Sequence, residues 1–205
     1  PSPIPVKDRR LTQIKTTSMQ RGRAEMATWA VRADQIIGAR LDRKGVFHTT
    51  SYDRKAEFFR RSKWTKEGIL MTHGKDDLEE VIQAFKARPA PCVLVSPSIV
   101  RGLDLPGNDA RYSIIGKVPW PPPDPILEAR KLLDREYLPA ETMKVIMQTV
   151  GRDVRYVGDW SEHFIIDDFW VPFSRNYWHL GTRAFHESVD KVSKEGVHQC
   201  PPIKL

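Results

Sequence analysis

Short apolar runs alternate along the chain with stretches in which apolar residues recur every three or four positions. The runs Leu11–Thr16, Gly45–Thr50, Ile69–Thr72, Cys92–Ser96, Ser113–Val118 and Phe164–Asp167 read as strands. Several are apolar on consecutive positions, the pattern of strands covered by helices on both faces. Between them, Met26, Trp29, Ala33, Ile36 and Ile37 form one helical stripe. Within Asp76–Lys86, Leu78, Val81, Ile82 and Phe85 form another, and Asp76 followed by Glu79 resembles an N-terminal capping box. Pro139 suits the first turn of a long helix running to about Tyr156. This alternation predicts an α/β domain with a mainly parallel sheet. The proline-rich stretch Pro119–Pro125 reads as a stiff surface connector, since it suits neither helix interior nor central strand. The aromatic tail with Trp170, Phe173, Tyr177 and Trp178 is expected to pack on the domain, and Lys191–Leu205 to fray.

A chain of 205 residues fits one large domain, or one with extensions. With 40% hydrophobic and 29% charged residues it falls among globular rather than disordered chains. No apolar run approaches the roughly 18–20 residues of a membrane span, and no signal peptide opens the sequence. An intracellular location is therefore expected, in cytoplasm or nucleoid, or in the host cytoplasm for a viral protein. The opening Pro1–Pro5 lacks Met and reads as the start of a piece of a longer chain. Cys92 and Cys200 are too few for a disulfide scaffold, and Cys92 sits in an apolar run as a small hydrophobe. The charge balance, 33 − 26 = +7, points to an anionic partner but is equally compatible with solvated lysines and arginines.

Ligands of parallel α/β sheets sit at the carboxyl ends of strands. There, His48–Thr49–Thr50–Ser51–Tyr52 offers hydroxyls and amides at a helix start, suited to phosphate or to an ordinary Ser51 cap. Ser96–Gly107 mixes hydroxyls, glycines, Arg101 and Asp104 after the most apolar strand. In the helix after Pro139, Met143, Ile146, Met147, Val150 and Val154 span an arc of roughly 100°, with Gln148, Arg152 and Arg155 within roughly 60° on the opposite side. Clustered guanidiniums suit phosphate oxygens or form a solvated basic face. Lys117–Trp120 reads as architectural, and Asp167–Asp168 as a strand-end turn rather than a metal pair. There is no Gly-x-x-x-x-Gly-Lys-Ser/Thr loop, no Gly-x-Gly-x-x-Gly fingerprint, no Gly-x-Ser-x-Gly elbow, and no histidine–cysteine metal spacing.

Taken in order, these segments resemble the second RecA-like domain of superfamily 2 helicases, in the XPD/DinG-like branch. Lys44–Tyr52 is similar to that family's motif IV region, and Ser96–Gly107, centred on Arg101–Gly102–Leu103–Asp104, to motif V. Gln148–Arg155 is similar to motif VI, Gln-x-x-Gly-Arg-x-x-Arg, and Lys117–Pro121 to the connector after motif V. The resemblance covers roughly Arg9 to Pro172 and divides the chain into a linker at 1–8, the domain at 9–172 and a C-terminal extension at 173–205. One departure is Gly158–Asp159–Trp160–Ser161, where the family often has an Asp–aromatic–Gly turn.

The resemblance implies a RecA-like fold and one half of an ATP-dependent DNA helicase, with roles in repair or replication. Arg152 and Arg155 would be arginine fingers, with Gln148 beside them. Gly102, Asp104 and Gly151 would serve ATP binding, and Thr49, Thr50, Ser51, Ser98 and Arg101 would contact nucleic acid. ATP with Mg²⁺ is the implied cofactor, its metal ligands and phosphate loop belonging to an N-terminal RecA-like partner domain. An iron–sulfur cluster, frequent in this branch, would also lie outside this chain. The chain alone is expected to be inactive. Single-stranded DNA, or RNA, is the implied partner, and no membrane is. Two other readings are a non-catalytic nucleic-acid-binding module of the same fold and an RNA-directed NTPase.

Overall fold

The computed structural model describes residues 5, 8–20, 22–97, 105–151, 154 and 156–190. Its strands are β1 (Leu11–Gln13), β2 (Lys44–His48), β3 (Leu70–Thr72), β4 (Cys92–Ser96), β5 (Tyr112–Ile115), β6 (Glu162–Ile165) and β7 (Val189–Asp190). The helices are α1 (Met26–Gly38), α2 (Tyr52–Arg61), α3 (Leu78–Ala87), α4 (Pro125–Leu133), α5 (Tyr137–Val150), α6 (Trp170–Tyr177) and α7 (Arg183–Ser188). The strands form one sheet in the order β3-β4-β2-β5-β6-β1-β7, and every pairing is parallel.

Side chains alternate across this sheet as the two-residue period of a strand requires. Phe47, Val93, Val95, Ile114 and Phe164 face a cluster built with Trp29, Ala33, Ile36 and Ile37 of α1 and Phe58 of α2. Their neighbours Ile115 and Ile165 point the other way, onto Met143, Ile146 and Val150 of α5 and Trp170 and Phe173 of α6. Val46 and Leu94 likewise meet Ile82 and Phe85 of α3. Both faces are covered, which explains the consecutive apolar positions in the strands.

Trp29 anchors the first face. Its indole donates to the carbonyl of Gly116 at 2.6 Å, and its ring packs against Phe47 and Phe58 at centroid distances of 5.1 and 6.1 Å. Gly116 has no room for more: a Cβ there would lie 2.6 Å from the Trp29 ring and 3.0 Å from the His48 carbonyl.

The six expected strands all form, Cys92–Ser96 at its expected limits and the others starting or ending one to three residues away, and β7 adds a short edge strand at Val189–Asp190. The capping box at Asp76 does not form. Asp77 occupies the cap position of α3 without bonding into the helix, and its carboxylate instead accepts from the Gly74 amide at 2.5 Å. The helix containing Pro139 opens two residues earlier, at Tyr137, and stops at Val150 rather than near Tyr156. The proline-rich connector is shorter than expected, because Asp124 caps a helix through the amides of Ile126 and Leu127 and Pro125 takes its first position. Helix α6 runs through the division expected between residues 172 and 173, and Phe173 and Phe185 share one cluster with Leu11 and Ile115.

Candidate functional site at the carboxyl edge of the sheet

After β4 the chain crosses over β2 to enter the sheet again as β5, so β2 lies between strands reached from opposite directions. Such a reversal opens a crevice at the carboxyl ends of the strands. The residues that follow β2, β5 and β6 converge on this edge.

The hydroxyl cluster after β2 divides into separate tasks. Thr49 is fully buried. Its amide and its hydroxyl both donate to the Ser96 carbonyl, at 2.9 and 3.1 Å, joining the ends of β2 and β4. The Thr49 hydroxyl is thus enclosed and committed to the carbonyls of Ser96 and Ser51. Ser51 caps α2 by accepting from the Arg54 amide at 3.2 Å. Thr50, only partly buried, stands between them with φ of +64°, a left-handed conformation that a β-branched residue adopts at a cost. Arg54 reaches back from the first turn of α2, its Nη1 donating to the Thr50 hydroxyl at 3.1 Å and the Ser51 hydroxyl at 3.0 Å.

Asp167, buried just beyond β6, organises the other half of the edge. One carboxylate oxygen accepts from the amides of Met19 and Phe169, at 2.8 and 2.9 Å, and the other from the amide of Val118 at 2.9 Å. Asp168 holds the Thr16 amide at 2.8 Å. The expected strand-end turn is thus a buried junction of three loops, and among the described residues no group of three or more His, Cys, Asp or Glu is placed to hold a metal. Burial pushes the Asp167 carboxyl above the usual range, against the pull of these amides and of Lys117.

The segments fixed by Asp167 enclose a cavity of about 370 Å³ lined by Gln20, Lys117, Val118, Trp120 and Phe169. Partial burial lowers the Lys117 ammonium, and the charge of Arg54 adds to the effect while Asp167 opposes it. Burial likewise lowers the Arg54 guanidinium, opposed by Asp167 and Asp53. Two half-desolvated cations thus share the field of one carboxylate, an arrangement that favours an anion.

Gln148 lies exposed in the last turn of α5, away from the buried Met143, Ile146 and Val150. Gly151 caps that helix with its amide on the Met147 carbonyl at 3.1 Å. The helical face drawn from Gln148 through Arg152 and Arg155 presumed a continuous helix, and α5 ends before both arginines. Arg152 and Arg155 lie outside the described residues, as do Ser98, Arg101, Gly102 and Asp104.

Sequence reasoning missed Arg54, and it placed Lys117–Trp120 and Asp167 at this edge but read them as architecture and as a strand-end turn. A signal was present for Arg54: a cation in a first helical turn opposes the helix dipole and calls for another reason to be there. Asp167 had one as well, a carboxylate directly following an apolar strand.

Residues 38–179 match the family model described as the helicase C-terminal domain. Among solved structures, the fold resembles one titled XPD_Helicase, with a TM-score of 0.62 and 18% identity over 82% of this chain and 33% of that one. It also resembles Xpd4 of S. tokodaii, with a TM-score of 0.59 and 17% identity over 89% of this chain and 38% of that one. Domain 2 of the DEAD-box helicase Mss116p, bound to an RNA duplex, matches with a TM-score of 0.56 and 13% identity over 83% of this chain and 59% of that one. No curated protein matches the chain by sequence. The chain spans about a third of the XPD structures' length. With its all-parallel, RecA-like sheet, the chain belongs to the helicase C-terminal domain family.

Proposed function

We propose that this chain is the second motor domain of an ATP-dependent DNA helicase, supplying arginine fingers and half of the nucleic-acid track. The supporting observation is the end of α5: Gln148 is exposed and Gly151 terminates the helix directly before the Arg152 and Arg155 of the motif VI pattern, within a helicase C-terminal domain. In this reading, Gly102, Asp104 and Gly151 border the nucleotide, and Thr50, Ser51, Ser98 and Arg101 follow the strand. Bound ATP with Mg²⁺ supplies the phosphoryl group whose transfer to water drives the motor. The guanidiniums of Arg152 and Arg155 neutralise charge on its oxygens through planar forks that lysine lacks. The phosphate loop and the Mg²⁺ ligands belong to an N-terminal RecA-like domain, since no phosphate-loop motif occurs in this sequence.

The test is ATP turnover beside thermal melting, in the full-length helicase carrying this domain. Arg152→Ala and Arg155→Ala should each lower turnover by about 10³–10⁵-fold and leave the melting temperature in place. Lysine at either position should not restore it. Near-normal turnover in both alanine variants would refute the finger assignment. Robust turnover by the 205-residue chain alone would refute the division into two halves.

A further inference from the structure

The cavity beside Lys117 is built rather than incidental. Each segment that lines it is tied to one carboxylate: the amides of Met19, Val118 and Phe169 all donate to Asp167, and these residues adjoin or form the walls at Gln20, Lys117–Trp120 and Phe169. A turn closed by the Trp120 amide on the Val118 carbonyl, at 2.8 Å, presents the Trp120 indole at the rim. Trp120 is 39% exposed. Phe173 braces it at 88° and 6.1 Å between centroids, and among the described residues no ring stacks in parallel on it. Lys117, which lines the same cavity, makes no hydrogen bond among the described residues, and the second cation, Arg54, is close enough to lower its proton affinity.

We infer that this cavity seats one base of a single-stranded nucleic acid against Trp120, with the adjoining backbone phosphate on Lys117. The inference rests on the motor-domain reading and adds a base-stacking platform to its track. An exposed indole offers a surface to any base, because every base has a π face. A single ammonium matches the single negative charge of a phosphodiester, whereas a nucleoside triphosphate would call for more donors than this rim supplies. The platform therefore holds the strand without reading its sequence. Asp167 acts as a positioning residue, fixing the separation between the indole and the ammonium.

Binding of a fluorescent oligothymidylate by the intact chain tests this, with tryptophan emission followed in parallel. Trp120→Ala should weaken binding about tenfold or more, and Trp120→Phe should keep most of the affinity while losing most of the emission quench. Lys117→Gln should reduce the slope of log affinity against log salt by about 0.7. An abasic strand of equal length, which requires no change in the protein, should bind wild type and Trp120→Ala alike and more weakly than oligothymidylate binds wild type. Equal affinity of the wild-type chain for abasic and thymidine strands would overturn the platform and leave the motor reading standing. So would a Trp120-dependent quench produced by ADP and not by oligothymidylate. Failure of the wild-type chain to bind any strand, even at low salt, would overturn the track reading together with the platform.

Discussion

Arg40 and Glu162 form a two-bonded ion pair across the amino edge of the sheet, Nε and Nη2 each 2.8 Å from a different carboxylate oxygen, although they stand 122 positions apart in the chain. Arg43 adds a third bond to Glu162 at 3.2 Å, and all three side chains are less than a tenth exposed. The Arg40 guanidinium also lies 4.3 Å from the Phe164 ring centroid. The pair joins the turn after α1 to the first residue of β6, at the end of the sheet opposite the candidate site.

Removing the carboxylate charge leaves two buried guanidiniums competing for what remains. Glu162→Gln should therefore cost about 3–5 kcal/mol, the usual consequence of breaking a buried pair from one side. Urea unfolding reads this directly as a lower midpoint. Replacing Arg40 and Glu162 together by Met and Leu should recover part of the loss, because the one remaining guanidinium, Arg43, keeps its pair with Asp42 at 2.8 Å. A single variant as stable as wild type would show that these charges are already neutralised in some other way.

Thr50 offers the opposite case. Its left-handed backbone costs about 1–2 kcal/mol for a residue with a β-carbon, while glycine costs roughly 0.5–1 kcal/mol in lost chain entropy. Thr50→Gly should thus leave stability unchanged or slightly raised, and should weaken strand binding by removing the hydroxyl that Arg54 holds. Thermal melting and oligonucleotide titration of the same sample separate the two effects. A clear fall in melting temperature would mean that the hydroxyl is structural.

The two glycines at the ends of β5 and α5 should respond differently to alanine. At Gly116 the new methyl would meet Trp29, Phe47 and the His48 backbone within 3.0 Å, so Gly116→Ala should cost about 1–3 kcal/mol or more by overpacking. At Gly151 the nearest atom is 3.4 Å away and φ is −94°, so Gly151→Ala should fold normally. A loss of turnover in full-length Gly151→Ala would then support the proposed place of Gly151 beside the nucleotide. Comparable destabilisation of the two variants would contradict the packing described.

His163 sets an expected acid response. It is buried in β6 with Nδ1 2.7 Å from the Ser113 hydroxyl, and burial, aided by His48 and Arg9, depresses its pKa to about 3. The unfolded chain binds a proton near pH 6.5 that the folded chain refuses, so this contribution to stability is present above that pH. It is lost as pH falls toward 3, at up to about 1.4 kcal/mol per pH unit. Asp34 and Asp167, whose pKa values burial raises, act with the opposite sign above pH 3.8 and soften the decline. Melting curves from neutral pH to pH 4 should be visibly less steep in pH for His163→Gln than for wild type. Parallel profiles would exclude His163 as the source.

The sheet was legible because its core strands are buried on both faces and so carry uninterrupted apolar runs, as in Cys92–Ser96 and Phe164–Ile165. Helix α1 was legible because Trp29, Ala33 and Ile36 keep one phase over its length. Helix α4 was not, since it buries no residue and leaves Leu132 and Leu133 almost fully exposed, giving periodicity nothing to register. At the site, Ser51 announced a helix start, but Thr49 and Thr50 look alike in sequence and differ only in backbone conformation, burial and partners after folding. The junction at Asp167 depends on loops about 150 and 50 positions away, a convergence that local pattern does not encode.

The register of β2 has a mechanical consequence. Five of its residues pair with β4 and four with β5, all parallel, and its carboxyl end carries Thr50 and Ser51. Ladder bonds lie across the strands, so tension applied at Thr50 along the strand direction loads the whole ladder in shear. The bonds must then yield together, whereas a pull across the sheet would peel them one at a time. The Arg40–Glu162–Arg43 cluster pins the amino end of the same frame, resisting slippage where β2 and β6 begin. A strand drawn across the carboxyl edge would thus displace the domain as a stiff body, converting tension into translation before any strand lets go.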